Sequence, residues 1–260
     1  MVPKNLKIAI EFLTIFRVGK SKEKIQAEDI ADSIMFFPLV GIFLGGICGL
    51  TEFLLRYVIV SNLVLSLFPV IILVLFTRGL HLDGVADCFD ALHFAGHDKG
   101  RALSVMKGKT IGAFGASALI IVVVGKIISI SALPEGFKIE GLILIPSLSR
   151  WTSVVAAKFS APASGDGLGY IFTVHSTRKA FFISGLSAFL FSLLLLGLKG
   201  GIVFVAVSIF SFVLLTFFNH AFGGVTGDVF GAVIELSEVF GFLIGGIIID
   251  ASWHNFLHIP

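Results

Sequence analysis

The chain has 260 residues, of which 56% are hydrophobic and 14% charged, with a formal net charge of +2 and a mean hydropathy of +1.02. This composition excludes an ordinary soluble domain and indicates a polytopic membrane protein. The cations lie in loops, as membrane topology requires, so no nucleic-acid partner is predicted. Cys48 and Cys88 show no CxxC or Cys/His spacing, which argues against a disulfide framework and a zinc site.

The first 32 residues are predicted to form an interfacial helix and a polar connector. Apolar residues share one helical stripe and charged residues lie opposite, as in a helix at the headgroup layer of the lipid membrane. The stripe consists of Leu6, Ala9, Ile10, Leu13 and Phe16. Residues 33–250 are predicted to be an all-α transmembrane bundle, so that residues 1–260 form a single integral membrane catalytic domain.

About seven membrane spans are predicted from the length of the apolar runs and the polar breaks between them. They lie at roughly 34–57, 62–79, 111–133, 139–160, 180–198, 201–219 and 229–249. Glycine-rich stretches such as GIFLGGICG allow close approach between helices in lipid. The pattern specifies no oligomeric state.

The positions of lysine and arginine predict the orientation. Most of these cations fall on the side of the membrane that holds the N-terminus, which is cytoplasmic by the positive-inside rule. The segments 78–109, 161–178 and 219–230 carry most of the unusual polar residues and converge on this side. A localisation in the cytoplasmic (inner) membrane is predicted, with the active site facing the cytoplasm.

The stretch RGLHLDGVADCFDAL at 78–92 places three carboxylates directly after an apolar run. On a helix, Asp83, Asp87 and Asp90 lie within about 60° of one another, so they form one stripe. Such a stripe at the edge of a bilayer is costly unless a cation neutralises it, and Mg²⁺ is the natural partner. The alternative is the solvated face of a short amphipathic helix.

A second acidic motif, GGVTGDVFGAVIELSE, occupies residues 223–238. Asp228 and Glu235 are seven residues apart, about 20° from alignment, and an ionisable residue at membrane depth indicates function. The turn before them offers N–H groups and a positive helix end to a phosphate. The candidate ligands in this turn are Gly223, Gly224, Thr226 and Gly227.

Other polar residues are candidate substrate ligands. Arg150 lies inside an apolar span, where it either binds phosphate or forms a structural ion pair. Gly167 and Gly169 lie in the flexible segment GDGLGY, and His81 is a candidate proton acceptor or a partner of Asp83. Further candidate phosphate ligands are Arg78, Lys107 and Lys109.

These motifs together resemble the cobalamin synthase family, the adenosylcobinamide-GDP ribazoletransferases. The resemblance extends from about residue 6 to residue 245, with its motifs in the expected order. It is carried by the two acidic motifs, by MKGKTIGAFGA at 106–116, by LSR ending at Arg150 and by GLG at 167–169. In MKGKTIG the family commonly carries an aspartate and an arginine, where this chain has Gly108 and Thr110.

The resemblance implies a magnesium-dependent transfer. α-Ribazole, or its 5′-phosphate, attacks adenosylcobinamide-GDP, a phosphodiester forms and GMP is released. On this hypothesis His81 or a free carboxylate accepts the hydroxyl proton, and the phosphate ligands are Lys107, Arg150 and the 223–227 turn. The metal ligands are Asp83, Asp87, Asp90, Asp228 and Glu235, and the catalytic set is His81, Asp83, Asp87 and Asp228.

Two alternatives remain open from the sequence. The DGVAD run partly resembles the DGxxAR motif of the CDP-alcohol phosphotransferases, although no arginine follows and the later acidic spacing is absent. A membrane transporter would also carry polar residues at depth. A transporter, however, is expected to place them at the midplane, whereas this chain gathers its acids toward the cytoplasmic ends.

Overall fold

The computed structural model describes residues 2–19, 24–95, 97–108 and 110–250. These residues form helices and connecting turns, and the β-type pairing within them is an isolated bridge between Pro162 and Val225. The all-α prediction is therefore confirmed. The helices are α1 (Lys4–Leu13), α2 (Ala27–Asp32), α3 (Phe37–Leu55), α4 (Asn62–Leu65), α5 (Leu67–Phe76), α6 (Leu80–Ala91), α7 (Lys99–Met106), α8 (Ala113–Ser131), α9 (Lys138–Phe159), α10 (Gly167–His175), α11 (Arg178–Phe222) and α12 (Gly227–Asp250).

Helix α11 is a hairpin of two antiparallel arms. At Gly197 the backbone is non-helical, with φ 57° and ψ −140°, a conformation that glycine adopts without strain. Beyond this turn the arms pack side by side, and the rings of Phe189 and Phe204 lie 5.4 Å apart. The two arms correspond to the predicted spans 180–198 and 201–219.

Four helical segments are long and apolar enough to cross a membrane. They are Ala27–Leu55, Ala113–Ser131, Arg178–Phe222 and Gly227–Asp250. A fifth arises if the pair Asn62–Phe76 and Leu80–Phe94, which is bent by 88°, is one broken span. A helical membrane bundle is thus confirmed, and the count of seven crossings stays a prediction.

Helix α9 runs through the centre of the bundle, because every residue from Leu144 to Ala157 is buried. A helix that is buried on all sides can carry polar side chains without exposing them to lipid. One end of the bundle holds Lys138 of α9, which pairs with Glu52 of α3 at 3.0 Å. The opposite end of α3 begins at Phe37, about four turns from Glu52, and lies beside the candidate site.

Helix α1 covers this second end of the bundle. The predicted apolar stripe packs inward through Ala9 and Leu13, but the helix ends at Leu13, so Phe16 lies beyond it. Phe12 also contacts the bundle, with its ring 5.9 Å from that of Phe37 and 5.6 Å from that of Phe172. The placement of α1 at the headgroup layer stays a prediction.

Glycines of α3 set its close packing against α9. A β-carbon at Gly45 would lie 2.5 Å from the carbonyl oxygen of Leu142 and 2.7 Å from the α-carbon of Ile143, whereas one at Gly46 meets nothing within 4 Å. The helices therefore pack through the Gly45 face of α3.

We expect Gly45→Ala to lower the free energy of unfolding by about 1–3 kcal/mol, because the added methyl group forces two backbones apart. Gly46→Ala is the matched control and should leave stability unchanged or slightly raised. Thermal unfolding in detergent compares the two variants. Equal midpoints of thermal unfolding for the two variants would contradict the close packing of α3 against α9 at Gly45.

Candidate active site

The two acidic motifs meet where α6 crosses α12. A side chain at Gly84 would overlap the backbone of Asp228, and a β-carbon at Gly231 would lie 3.1 Å from the backbone of His81. Glycine at both positions lets the two helix backbones come together. Asp83 and Asp228, which are 145 residues apart in the sequence, consequently line the same cavity.

Asp87 belongs to the same group of carboxylates and is half-buried on α6, outside the predicted spans. Burial raises the pKa of Asp87 to about 7, and the charges of Asp228, Asp83 and Asp90 add to this effect in that order. The sequence prediction that the two motifs converge therefore agrees with the structure. Negative charge is concentrated at one rim of the bundle, which we call the acidic rim and define as Asp83, Asp87 and Asp228.

Asp90 has a different role from the one predicted. Its two carboxylate oxygens accept hydrogen bonds from the backbone N–H groups of Gly112 at 2.6 Å and Gly115 at 2.7 Å. These donors lie at the start of α8, so Asp90 caps that helix and fixes it to α6. The prediction of Asp90 as a metal ligand is corrected accordingly, because helical spacing alone does not show which acids are already paired.

Three cavities adjoin the acidic rim. They are the aromatic cavity, lined by Phe12, Phe37, Phe172 and Phe230; the Arg78 groove, lined by Arg78, Thr14 and Ile111; and the Lys107 cavity, lined by Lys107, Ser164 and Gly167. Their volumes are about 100, 780 and 270 Å³, respectively. Asp83 lines the first two, and Asp228 lines the first and the third. The carboxylates therefore lie at the boundaries between separate spaces.

The 223–227 turn is held by its own backbone. Gly223 ends α11 at φ 80°, and Gly224, at φ 157°, packs against the backbone of the 161–163 segment. The N–H of Val225 donates to the carbonyl of Ala161 at 2.9 Å. Gly223 and Gly224, predicted as phosphate ligands, thus have structural roles and do not line the Lys107 cavity.

The remaining predicted phosphate ligands divide between two cavities. Five of them line the Lys107 cavity, namely Lys107, Gly167, Gly169, Thr226 and Gly227. Arg78 lies instead in the Arg78 groove, where its guanidinium donates to the carbonyl of Thr14 at 3.2 Å. Lys109 lies outside the described residues.

The Lys107 cavity is suited to an anion, because two helices begin at it and a lysine lines it. Helix α10 begins at Gly167 and α12 at Gly227, and both residues line this cavity. Thr226 caps α12, because its hydroxyl accepts from the N–H of Val229 at 3.3 Å. Two positive helix ends and the exposed Lys107 side chain thus face one space, which is also lined by Asp228 and by Asp166, whose Oδ1 lies 3.9 Å from Lys107 Nζ.

Lys99 is a residue that the sequence analysis did not select. Its side chain lies against Gly223, with Nζ 3.5 Å from the position of a β-carbon there. The sequence offers no local signal for this contact, since Lys99 lies between the two acidic motifs and is one of many lysines and arginines in the chain.

Arg150 and Glu235 belong to a buried charge network beneath the acidic rim. Arg150 is 1% exposed and pairs with Glu238, which also pairs with Lys126. Lys126 Nζ lies 2.6 Å from Glu235 Oε2. The predictions of Arg150 as a phosphate ligand and of Glu235 as a metal ligand are therefore corrected. Both side chains are buried and paired, and the network ties α8, α9 and α12 together.

His81 lies between this network and the aromatic cavity. It is 3% exposed, and its Nδ1 is 3.8 Å from Glu235 Oε1, beyond hydrogen-bond distance. Burial, reinforced by the charge of Arg150, lowers the pKa of His81 to about 3, so the imidazole is neutral at neutral pH. These surroundings favour hydrogen bonding over proton acceptance, and the predicted role of His81 as a proton acceptor stays a prediction.

The acidic rim has the donor atoms that Mg²⁺ prefers. Within the ranges that the structure describes, no group of three His, Cys, Asp or Glu side chains could hold a metal ion. Mg²⁺ does not need such a group, because it typically binds one or two carboxylates and completes its shell with water and substrate phosphates. Carboxylates that repel one another beside a space for substrate fit this arrangement.

The family follows from comparison with known proteins. The model of the cobalamin-5-phosphate synthase family matches residues 5–246. The chain belongs to this family. It is similar to the adenosylcobinamide-GDP ribazoletransferases of Clostridium acetobutylicum, with 32% identity, and of Syntrophobacter fumaroxidans, with 36%. Each match covers 241 residues, respectively 91% and 89% of this chain and 93% of either relative.

A third relative, the adenosylcobinamide-GDP ribazoletransferase of Escherichia coli (strain K12 / DH10B), is 33% identical over 88% of this chain and 94% of its own length. No solved structure matches the chain. Membership of the cobalamin-5-phosphate synthase family confirms the resemblance seen in the sequence and the prediction of an enzyme. It favours neither the CDP-alcohol phosphotransferase nor the transporter alternative.

We expect Arg150→Met to lower the free energy of unfolding by roughly 3–5 kcal/mol, because Glu238 would lose one of its buried partners. Lys107→Met is the control, since Lys107 is exposed and its loss leaves no buried charge unpaired. Thermal unfolding of the two purified variants measures the difference. If Arg150→Met unfolds at the same temperature as the wild type, the buried Arg150–Glu238 pair contributes nothing to stability.

Proposed function

We propose that the protein transfers adenosylcobinamide phosphate from adenosylcobinamide-GDP to α-ribazole or its 5′-phosphate. The products are adenosylcobalamin, or its 5′-phosphate, and GMP. The observation that carries the proposal is the acidic rim, where Asp83 and Asp228 from two distant motifs lie at the boundaries of three cavities and Asp87 lies close enough to interact with both charges. Family membership supports the same chemistry.

The reaction is a displacement at one phosphorus atom. A ribose hydroxyl of the acceptor attacks the phosphorus that bears cobinamide, a new P–O bond forms, and the P–O bond to GMP breaks. The hydroxyl proton passes to a carboxylate of the acidic rim, and GMP leaves with the bonding electrons. Catalysis of such a transfer rests on positioning and on neutralisation of the phosphate charge.

Magnesium is the proposed cofactor. Asp83 and Asp228, which line the cavities, would hold it together with phosphate oxygens, and Asp87 beside them would be a further ligand. When bound, the ion would neutralise charge on the phosphates and on the leaving oxygen. The protein's own contribution is to fix these carboxylates through the α6–α12 crossing.

The guanosine end of the donor is proposed to occupy the Lys107 cavity. Lys107 and the starts of α10 and α12 supply positive potential for its phosphates. The bulky corrinoid is proposed to occupy the Arg78 groove, the largest of the three spaces. The phosphorus that reacts would then lie at the acidic rim between them.

We propose that this end of the bundle faces the cytoplasm and that the membrane is the cytoplasmic one. A cysteine introduced at exposed Thr110 should react with an impermeant thiol reagent in inverted vesicles but not in intact cells, and Glu135→Cys should behave in the opposite way. The native thiols, Cys48 and Cys88, are buried and should add little background. Labelling of Thr110→Cys in intact cells would show that the orientation is the opposite of the one proposed.

We expect Asp83→Asn and Asp228→Asn each to lower kcat at least a hundredfold, because each removes a carboxylate that faces the reacting phosphate. The assay follows GMP release and the mass of the corrinoid product with purified protein, adenosylcobinamide-GDP, α-ribazole and Mg²⁺. Glu135→Gln is the control, since it removes an acid at the opposite end of the bundle. Near-native turnover of either rim variant would remove that residue from the site.

Asp90→Asn provides a second comparison within the same motif. It weakens the cap of α8 and should lower the free energy of unfolding by about 1 kcal/mol, with a smaller loss of kcat than Asp83→Asn. Thermal unfolding and the same product assay separate the two effects. The opposite order of kcat losses would restore Asp90 as a candidate metal ligand.

A further inference from the structure

The aromatic cavity is a narrow space enclosed by rings. Phe172 is its centre, with ring centroids 5.6 Å from Phe12, 5.7 Å from Phe37 and 5.7 Å from Phe230. Such rings offer flat, apolar surfaces against which a planar ligand packs well. The cavity opens at the acidic rim, because Asp83 and Asp228 line it too.

Polar groups in this cavity are few, and one of them is unpaired. Neither ring nitrogen of buried His81 has a hydrogen-bond partner among the described residues. The Ser153 hydroxyl, by contrast, donates to the carbonyl of Arg150 at 2.7 Å. A buried polar group without a partner is costly, and such a group in a cavity wall indicates a ligand that completes the hydrogen bond.

We propose that the aromatic cavity binds the planar heteroaromatic base of the acceptor nucleoside and that His81 donates a hydrogen bond to a ring nitrogen of that base. The assignment rests on the proposed function, under which the acceptor is α-ribazole and the base is a benzimidazole. The ribose of the acceptor then extends from the cavity to Asp83 and Asp228, where the attacking hydroxyl is needed.

Size and polarity distinguish this occupant from the other parts of the substrates. A volume of about 100 Å³ admits a small ring system, since one water molecule needs about 10–15 Å³ of such space, but it excludes a corrin. Away from its opening at Asp83 and Asp228, the wall of the cavity is largely apolar and would leave most polar edge groups of guanine unpaired. A benzimidazole linked to ribose retains one ring nitrogen, which matches the single unpaired group, His81.

Phe12→Ala tests the assignment, with Phe16→Ala as the matched control. Phe16 follows the same helix but packs on Phe43 and Phe76, away from the cavity. We expect Phe12→Ala to raise the KM for α-ribazole about tenfold through lost ring packing, with the KM for adenosylcobinamide-GDP within about twofold of wild type. Phe12→Leu retains most of the side-chain volume, so its KM for α-ribazole should lie between the values of the wild type and of Phe12→Ala. This variant guards against a folding defect as the cause of the change.

An acceptor analogue tests the hydrogen bond. The wild type should prefer α-ribazole over the corresponding indole riboside, which lacks the free ring nitrogen, by at least about tenfold in kcat/KM. His81→Phe keeps a planar ring but removes the donor, so this preference should disappear whatever the residual rate.

The outcomes separate the inference from the proposed function. No cobalamin product from wild-type protein would reject the proposed function itself. Normal wild-type turnover with an unchanged α-ribazole KM in both Phe12 variants would overturn the cavity assignment alone. A preference for α-ribazole that persists in His81→Phe would overturn the hydrogen bond.

Discussion

The close crossing of α6 and α12 is the constraint on which the rest of the site depends. It exists because Gly84 and Gly231 present no side chain where the two backbones approach. Any larger residue would separate Asp83 and Asp87 from Asp228 and open the boundary between the cavities. The glycine of the first acidic motif therefore serves the geometry of the carboxylates beside it.

A second layer of interactions lies beneath this crossing and holds the same helices. Glu235 and Glu238, two and three turns after Asp228 on α12, pair with Lys126 of α8, and Glu238 also pairs with Arg150 of α9. Asp90 fixes the start of α8 to α6 from the other side. The acids of the two motifs thus differ by depth. Those at the rim repel one another, and Asp83 and Asp228 among them line the cavities, whereas those below are neutralised by the protein.

The same division explains what the sequence could predict. Length and hydropathy identified the long apolar helices, including both arms that meet at Gly197, but not the short helices α2, α7 and α10. The two acidic motifs identified Asp83, Asp87 and Asp228. Helical spacing could not separate these from Asp90 and Glu235, because a stripe shows which residues share a face but not what lies opposite. The partners are the N–H groups of Gly112 and Gly115 in one case and Lys126 in the other. Lys126 lies 109 residues before Glu235 in the sequence, so no local pattern connects the two.

The arrangement of the three cavities accounts for the direction of the proposed reaction. In-line displacement requires the nucleophile and the leaving group on opposite sides of the phosphorus. Asp228 borders both the aromatic cavity and the Lys107 cavity, so an acceptor held in the first and a GMP group held in the second would approach the acidic rim from different sides. Cobinamide, in the Arg78 groove beside Asp83, would remain on the phosphorus throughout. Each part of the substrates would then reach the same rim from a separate cavity, with Asp83 and Asp228 at the points where the cavities adjoin.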